Sequence, residues 1–202
     1  MGFAPSATLL VTALSGRGTR CRASREHREM SSAVELRVAV LSDTHLRGGI
    51  ERLPSLALDE IDRADVVLHA GDVLDGDALD ALTALVGDRP FHAVLGNNDH
   101  ELVRRLPDRL EVELAGVLVA MVHDTGARAG REQRMRRWFP TADVVVFGHS
   151  HEPWSAEGAP GQLLFNPGSA VQRRRQAHHT MGVLELADGQ VVSRRIVVVD
   201  PI

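Results

Sequence analysis

Lysine is absent from this 202-residue chain, so the 23 Lys+Arg positions are all arginine. With alanine abundant, this reads as a codon bias rather than a chemical choice. The single cysteine, Cys21, excludes an intrachain disulfide and a thiolate metal cage. No apolar run approaches the roughly 20 residues of a membrane-spanning helix. Aromatic residues make up 3% of the chain and the net charge is −4, which argues against a nucleic-acid module working by stacking or bulk electrostatics. What is present, 44% hydrophobic and 25% charged residues, fits one globular domain with a sizeable core, expected in the cytoplasm.

The first residues differ from the rest. Five arginines against two glutamates give residues 1–29 a charge of +3, while residues 30–202 carry −7. Ala7 to Leu14 is apolar, but it lacks the basic flank and small-residue cleavage site of a signal peptide. Residues 1–32 are expected to be a disordered extension or the product of a start assigned too early, with Met30 opening the true chain. Residues 33–202 are expected to form one domain.

Within that domain, Leu36 to Leu41 reads as a strand, and a helix is expected from about Pro54. Val66 to Ala70 is a second strand. A helix with Ala78, Leu82, Leu85 and Val86 on one face follows, with Gly87 past its end. Phe91 to Leu95 is a third strand. This alternation predicts a largely parallel sheet with helices on its faces. Leu110 to Leu114 and Val117 to Val122 then form a hairpin about Ala115-Gly116. Met135, Trp138 and Phe139 mark a helix stopped by Pro140. Val144 to Phe147, Gln162 to Phe165, Met181 to Leu186 and Val191 to Val199 are further strands, the last two joined at Asp188-Gly189. The expected architecture is an α/β fold: two mixed sheets flanked by helices.

Polar residues that bind metals follow five of these strands. They are Asp43 with His45, Asp72, Asn97, His123, and His149 with His151. Each is weak evidence alone, since Gly-Asp and Gly-Asn are common turns. Together they make seven nitrogen and oxygen donors with no sulfur, at the strand ends where open α/β sheets place their sites. A single tetrahedral zinc needs three or four ligands, so seven suit a pair of divalent ions sharing a carboxylate. The donor set accepts manganese, iron, cobalt, nickel or zinc.

The series Asp43-Thr44-His45, Gly71-Asp72, Gly96-Asn97-Asn98-Asp99, His123 and Gly148-His149-Ser150-His151 resembles the calcineurin-like metallophosphoesterases. With Asn166-Pro167-Gly168-Ser169 it is similar to the small YfcE-type phosphodiesterases. The resemblance implies a four-layer α/β/β/α sandwich and two divalent metal ions, manganese first among them. Asp43, His45, Asp72 and His151 would hold one ion. Asp72, Asn97, His123 and His149 would hold the other, with Asp72 bridging. A hydroxide between the ions would attack phosphorus in line with the leaving oxygen. Asp72, Asn97 and His100 are the candidate catalytic residues. Many relatives place a histidine, taken as the general acid, directly after the ligand asparagine. Here that residue is Asn98, and His100 is the candidate replacement, its alternative being a solvent-facing loop histidine.

His69 is expected to be a core histidine or one supporting the ligands, and Asp99 to orient a loop or ligand. Arg173-Arg174-Arg175 reads as a solvated run or as phosphate-steering, and His178-His179 as loop residues. Trp138 and Phe139 are expected in the core or at a subunit contact, with Arg134, Arg136 and Arg137 exposed. The expected partner is a small phosphoester substrate. The competing functions are a nucleotide pyrophosphatase or phosphomonoesterase on the same site, and a protein-binding scaffold like the retromer subunit of this fold. The resemblance also implies a homo-oligomer.

Overall fold

The structure is a computed structural model that describes residues 10–11 and 35–200. After a two-residue strand, β1 (Leu10–Val11), come β2 (Leu36–Leu41), α1 (Ser55–Asp62), β3 (Val66–His69), α2 (Gly76–Val86) and β4 (Phe91–Ala93), in the expected alternation. The hairpin β5 (Arg109–Leu114) and β6 (Val117–Val122), α3 (Arg131–Trp138), β7 (Val144–Val146), β8 (Trp154–Glu157) and β9 (Leu163–Asn166) follow. A second hairpin, β10 (Thr180–Ala187) and β11 (Gln190–Val198), ends the described chain. The expected extension over residues 1–32 lies outside the described residues except for β1, which pairs in parallel with β5.

Two mixed sheets result, ordered β1-β5-β6-β7-β9-β8 and β11-β10-β2-β3-β4. Side chains sort by parity, because successive residues of a strand point to opposite faces. Val38, Val40, Val66 and Leu68 of one sheet meet Val144, Val146, Leu163 and Phe165 of the other in a core between the sheets. Ala39, Leu41 and Val67 face outward and are covered by Ala57 and Ile61 of α1 and Ala78, Leu82 and Val86 of α2. Val145, Phe147 and Leu164 face the other way, under Met135 and Phe139. The layers are therefore helix, sheet, sheet, helix, as expected. Both hairpins turn on two left-handed residues, Ala115-Gly116 (φ 47° and 79°) and Asp188-Gly189 (φ 51° and 73°). Two-residue loops of this kind need that conformation to match the strand twist.

β8 had no counterpart in the sequence reading. It is a short edge strand, Trp154-Ser155-Ala156-Glu157, alternating half-buried and exposed residues against β9. A half-polar strand of four residues gives little hydrophobic signal. Arg134 and Arg136 are half-buried rather than exposed. Arg134 donates to the carbonyls of Thr125, Ala127 and Ala129, and Arg136 to those of Pro140 and Pro160. Phe139 is buried, and Trp138 lies half-buried with the Arg109 guanidinium 3.9 Å from its ring centre.

The helices end on an arginine from outside them. Neither α1 nor α2 has a basic residue in its last turn. Arg89 instead donates to Ile61 O at 2.7 Å, Ala64 O at 2.7 Å, Asp62 O at 3.1 Å and Val86 O at 2.9 Å. Carbonyls left open at helix ends are thereby satisfied by a cation where the macrodipole favours one. Arg89→Ala is expected to destabilise the protein by about 2 kcal/mol, since hydrogen bonds to charged groups contribute about 1.5–3 kcal/mol. A denaturant midpoint unchanged in that variant would refute the role.

Candidate metal centre

The parallel strands β2, β3 and β4 of one sheet and β6 and β7 of the other carry the candidate ligands at their carboxyl ends. Each chain segment must turn sharply there to send a short side chain back over the sheet edge. Five of the seven candidates do so with left-handed backbone: Asp43 (φ 54°), His45 (47°), Asp72 (61°), His149 (68°) and His151 (58°). Outside glycine this conformation is uncommon and costs on the order of 1–3 kcal/mol per residue. Its concentration in one corner marks a site rather than a set of turns. Close approach of the loops adds a second constraint. A Cβ on Gly148 would overlap Ser42 Oγ, and one on Gly96 would overlap the backbone of Asp72.

The side chains converge. His45 Nε2 and His151 Nε2 lie 3.3 Å apart, His151 Nε2 lies 3.3 Å from Asp43 Oδ1, and His45 Nε2 lies 3.4 Å from Asp72 Oδ2. His123 Nε2 lies 3.5 Å from the same Asp72 oxygen, 3.9 Å from Asp43 Oδ1 and 3.1 Å from Asn97 Oδ1. Asn97 Oδ1 is also 2.7 Å from His149 Nδ1. All seven candidates are thus neighbours. Two clusters have donor atoms mutually within 4.8 Å: Asp43, His45 and His151, and Asp43, Asp72 and His123. Asp43, His45, Asp72, His123 and His151 are buried, whereas Asn97 and His149 are exposed at the rim.

This donor set fits divalent ions. Two ligand atoms each about 2.0–2.2 Å from one ion stand about 3.0–3.5 Å apart in octahedral or tetrahedral geometry, as most of these pairs do. The tautomers agree. His123 Nδ1 donates to Ala70 O at 2.7 Å and His151 Nδ1 donates to Gln172 O, so each leaves its Nε2 lone pair facing the cluster. Metal-binding histidines are oriented in this way.

Polar contacts around the ligands hold the loops. Buried Asp99 accepts from the backbone N–H groups of Asp72 at 2.9 Å, Leu74 at 2.8 Å and Gly96 at 2.7 Å, so it orients the Gly-Asp loop as expected. Asn98 donates from its amide side chain to Asp72 Oδ2 at 2.7 Å and from its backbone to Oδ1 at 2.8 Å. Three supports had been given no role from sequence. Ser42 Oγ donates to Asp43 Oδ2 at 2.6 Å, Asn166 Nδ2 donates to Gly148 O at 3.0 Å, and Ser169 Oγ donates to Asp43 O at 2.7 Å. The Asn-Pro-Gly-Ser motif is the signal for Asn166 and Ser169, and Ser42 has none beyond its place beside Asp43.

Other singled-out residues fall at different distances from the cluster. His69 is buried, 2.9 Å from Thr44 Oγ1, between the ligand loop and the core. His100 is exposed in the turn after Asp99 and makes no side-chain hydrogen bond among the described residues. Arg174, itself left-handed at φ 51°, donates to His149 O at 3.4 Å. His178 and His179 pair with Asp200 instead of joining the cluster. Asp124 accepts from Gly126 N in a local turn.

The electrostatics are those of a crowded buried cluster. Burial pushes the Asp43 carboxyl up to about 6. Burial also acts on Asp72, but the adjacent His123 imidazole and the hydrogen bonds from Asn98 prevail and hold it below the usual carboxylate range. Burial likewise opposes the charged form of His123, yet Asp72 and Asp43 outweigh it and raise that imidazole.

Comparison with known proteins agrees with this geometry. The sequence model of the calcineurin-like phosphoesterase superfamily domain matches residues 36–189. A protein of Methanothermobacter thermautotrophicus described as a probable metallophosphoesterase is 30% identical over 162 residues, covering 79% of this chain and 91% of its own length. A probable metallophosphoesterase of Methanocaldococcus jannaschii is 33% identical over 140 residues, covering 68% of this chain and 69% of its own. Among solved structures, wild-type Vps29 of Entamoeba histolytica complexed with zinc superposes with a TM-score of 0.64, at 22% identity, covering 82% of this chain and 99% of its own. At that identity the likeness concerns the fold.

The buried imidazoles set a limit in acid. Burial lowers His69 to about 3 and His151 to about 4 from a usual 6.5, and it lowers His45 as well. As pH falls the unfolded chain takes up these protons first, so their stabilisation is complete above about 6.5 and lost towards 3–4. Asp43 acts in the opposite sense, because its folded carboxyl protonates near 6, above the unfolded 3.8. Urea unfolding of metal-free protein at stepped pH is expected to show stability falling between pH 6.5 and 4, and falling more steeply in Asp43→Asn. A flat profile over that window would contradict the assignment.

Proposed function

The chain belongs to the calcineurin-like phosphoesterase superfamily, and from that premise we propose that it is a metal-dependent phosphodiesterase working with two divalent ions, manganese first among them. The observation that carries the reading is the convergence of seven nitrogen and oxygen donors on one corner, with the Nε2 lone pairs of His123 and His151 turned inward.

Asp43, His45, Asp72 and His151 would hold one ion and Asp72, Asn97, His123 and His149 the other. Asp72 suits the shared place, since its Oδ2 lies 3.4 Å from His45 Nε2 and 3.5 Å from His123 Nε2, one imidazole from each set. When bound, such ions supply a water acidic enough to deprotonate near neutral pH and positive charge for the phosphoryl oxygens. The chain's own part is to fix positions. Asn98 clamps both oxygens of Asp72, and Asp99 and Ser169 hold the loops beneath. Arg174 stands beside His149 at the rim and is suited to a phosphoryl oxygen.

In the reaction, water oxygen bonds to phosphorus and the P–O bond to the leaving group breaks. The leaving oxygen then needs a proton or must be stable without one. Asn98 cannot give it, because a carboxamide N–H is far too weak an acid, and its amide is held by Asp72. Asp99 is engaged by three backbone N–H groups. Of this loop, exposed His100 is the side chain left to do so. The arrangement therefore favours esters with good leaving groups, and the role of His100 is confined to poor ones.

Chelator-stripped protein is expected to cleave bis-p-nitrophenyl phosphate when Mn²⁺ is restored, and to prefer it to p-nitrophenyl phosphate. Faster cleavage of the monoester would replace the diesterase reading with a phosphomonoesterase. No turnover of either by metal-loaded protein would favour a binding scaffold. Asp72→Asn is expected to reduce kcat/KM on the diester on the order of 100-fold or more, beyond the 10–100-fold typical of residues that only support metal ligands.

A further inference from the structure

Two arginines at the N-terminal end of α3 spend none of their side-chain donors on the fold among the described residues. Arg134 and Arg136 are consumed by loop carbonyls. The guanidiniums of Arg128 and Arg131 make no hydrogen bond among the described residues, and Arg131 Nε is buried without a partner. Each is laid on an aromatic ring instead. Arg128 Cζ is 4.1 Å from the Trp154 ring centre, and Arg131 Cζ is 4.9 Å from that of Phe147. A guanidinium held by its face keeps its N–H edge free for an oxyanion. Arg128 has one loose carboxylate neighbour, Glu152 at 3.6 Å, and Arg131 has none within 4.0 Å among the described residues. Burial, with Arg128 and Arg134 close by, disfavours the charge on Arg131, so a bound anion would relieve it.

Both side chains border a pocket of about 310 Å³, along with Gly130 and Trp154. The helix that opens there has Gly130 as its N-cap and no capping side chain; its first N–H, that of Arg131, donates to Arg128 O at 3.2 Å, and Glu132 and Gln133 of the same turn border the pocket. Two acidic residues, Glu132 and Glu157, also border it; both are exposed, and Glu157 is paired with Arg194 at 2.7 Å.

The pocket is lined by residues close in sequence to two candidate ligands: Arg128 follows His123 by five residues and Trp154 follows His151 by three. Phe147, which lies under Arg131, precedes His149 by two. An extended chain spans about 3.3–3.6 Å per residue, so the Trp154 and His151 backbones are within about 11 Å of each other. Trp154 also pairs with Asn166, whose side chain donates to Gly148 in the ligand loop.

We infer that this pocket is a second phosphate-binding site, one that holds a phosphate monoester carried by the substrate away from its scissile bond. Two guanidinium forks match a dianion better than a single carboxylate, and the Trp154 ring suits the arm that carries it. The role in substrate selection rests on the phosphodiesterase reading, whereas binding in the pocket can be measured without turnover.

The test uses the p-nitrophenyl ester of thymidine 5′-phosphate with and without a 3′-phosphate, which share one scissile bond. Manganese-loaded wild-type protein is expected to show a KM at least tenfold lower for the 3′-phosphorylated ester. Arg131→Ala and Arg128→Ala are each expected to bring the two KM values together. Arg128 is exposed, so its variant serves even if the first fails to fold. Equal KM values in the wild type, or a difference that survives both substitutions, would overturn the inference. If the wild type cleaves neither ester, the phosphodiesterase reading fails and calorimetry with thymidine 3′,5′-bisphosphate decides the pocket. Binding at least tenfold weaker in Arg131→Ala than in wild type would then uphold the site, and equal binding would overturn it.

Discussion

Electron-rich atoms facing one another in a buried corner are the feature on which the rest of this structure depends. Asp43, Asp72 and the Nε2 atoms of His45, His123 and His151 stand mostly 3.3–3.5 Å apart, with little water and with no lysine or arginine paired to either carboxylate. Left alone, such a cluster is unfavourable: charges are desolvated and lone pairs oppose lone pairs. The shifts in Asp43, His45 and His151 away from their charged forms express that strain. Divalent cations are the natural relief, because each replaces repulsion among its ligands with bonds to all of them.

Holding that corner in place takes much of the surrounding architecture. Left-handed backbone at five ligand positions is stable only if the neighbourhood over-determines it. The two sheets provide rigid strand ends, and small polar contacts do the rest. Asp99 ties three N–H groups of two loops, while Asn166 and Ser169 tie the Gly148 and Asp43 segments together. A parallel bridge between Leu46 and Leu74 joins the two loops just beyond the candidate ligands His45 and Asp72. The motif glycines belong to the same scheme, since Gly96 and Gly148 let loops approach where any side chain would collide.

Around the cluster, the fold separates chemistry from selection. The seven candidate ligands occupy strand ends whose positions are fixed by sheet pairing. Arg128, Arg131 and Trp154 sit on a loop, a helix start and an edge strand, outside the ligand loops themselves. Relatives can therefore share the metal chemistry and differ in what they bind.

The sequence by itself determined the parts that rest on local rules. Hydrophobic runs bounded by glycine, with period two or near four, marked nearly every strand and helix, and the Ala115-Gly116 and Asp188-Gly189 turns marked both hairpins. Ligand types directly after predicted strands marked the candidate centre, because a strand end is where a side chain can leave a sheet. Elements without such local signals were out of reach. β8 alternates weakly and exists because β9 offers it an edge. Arg89 lies far in sequence from Ile61 and Ala64, whose carbonyls it caps. Asn98 gave no sign that its amide would clamp Asp72, and nothing in their spacing brings Arg128, Arg131 and Trp154 to one pocket. These depend on groups far apart in the chain being brought together, and only the tertiary structure decides which of many possible partners meet.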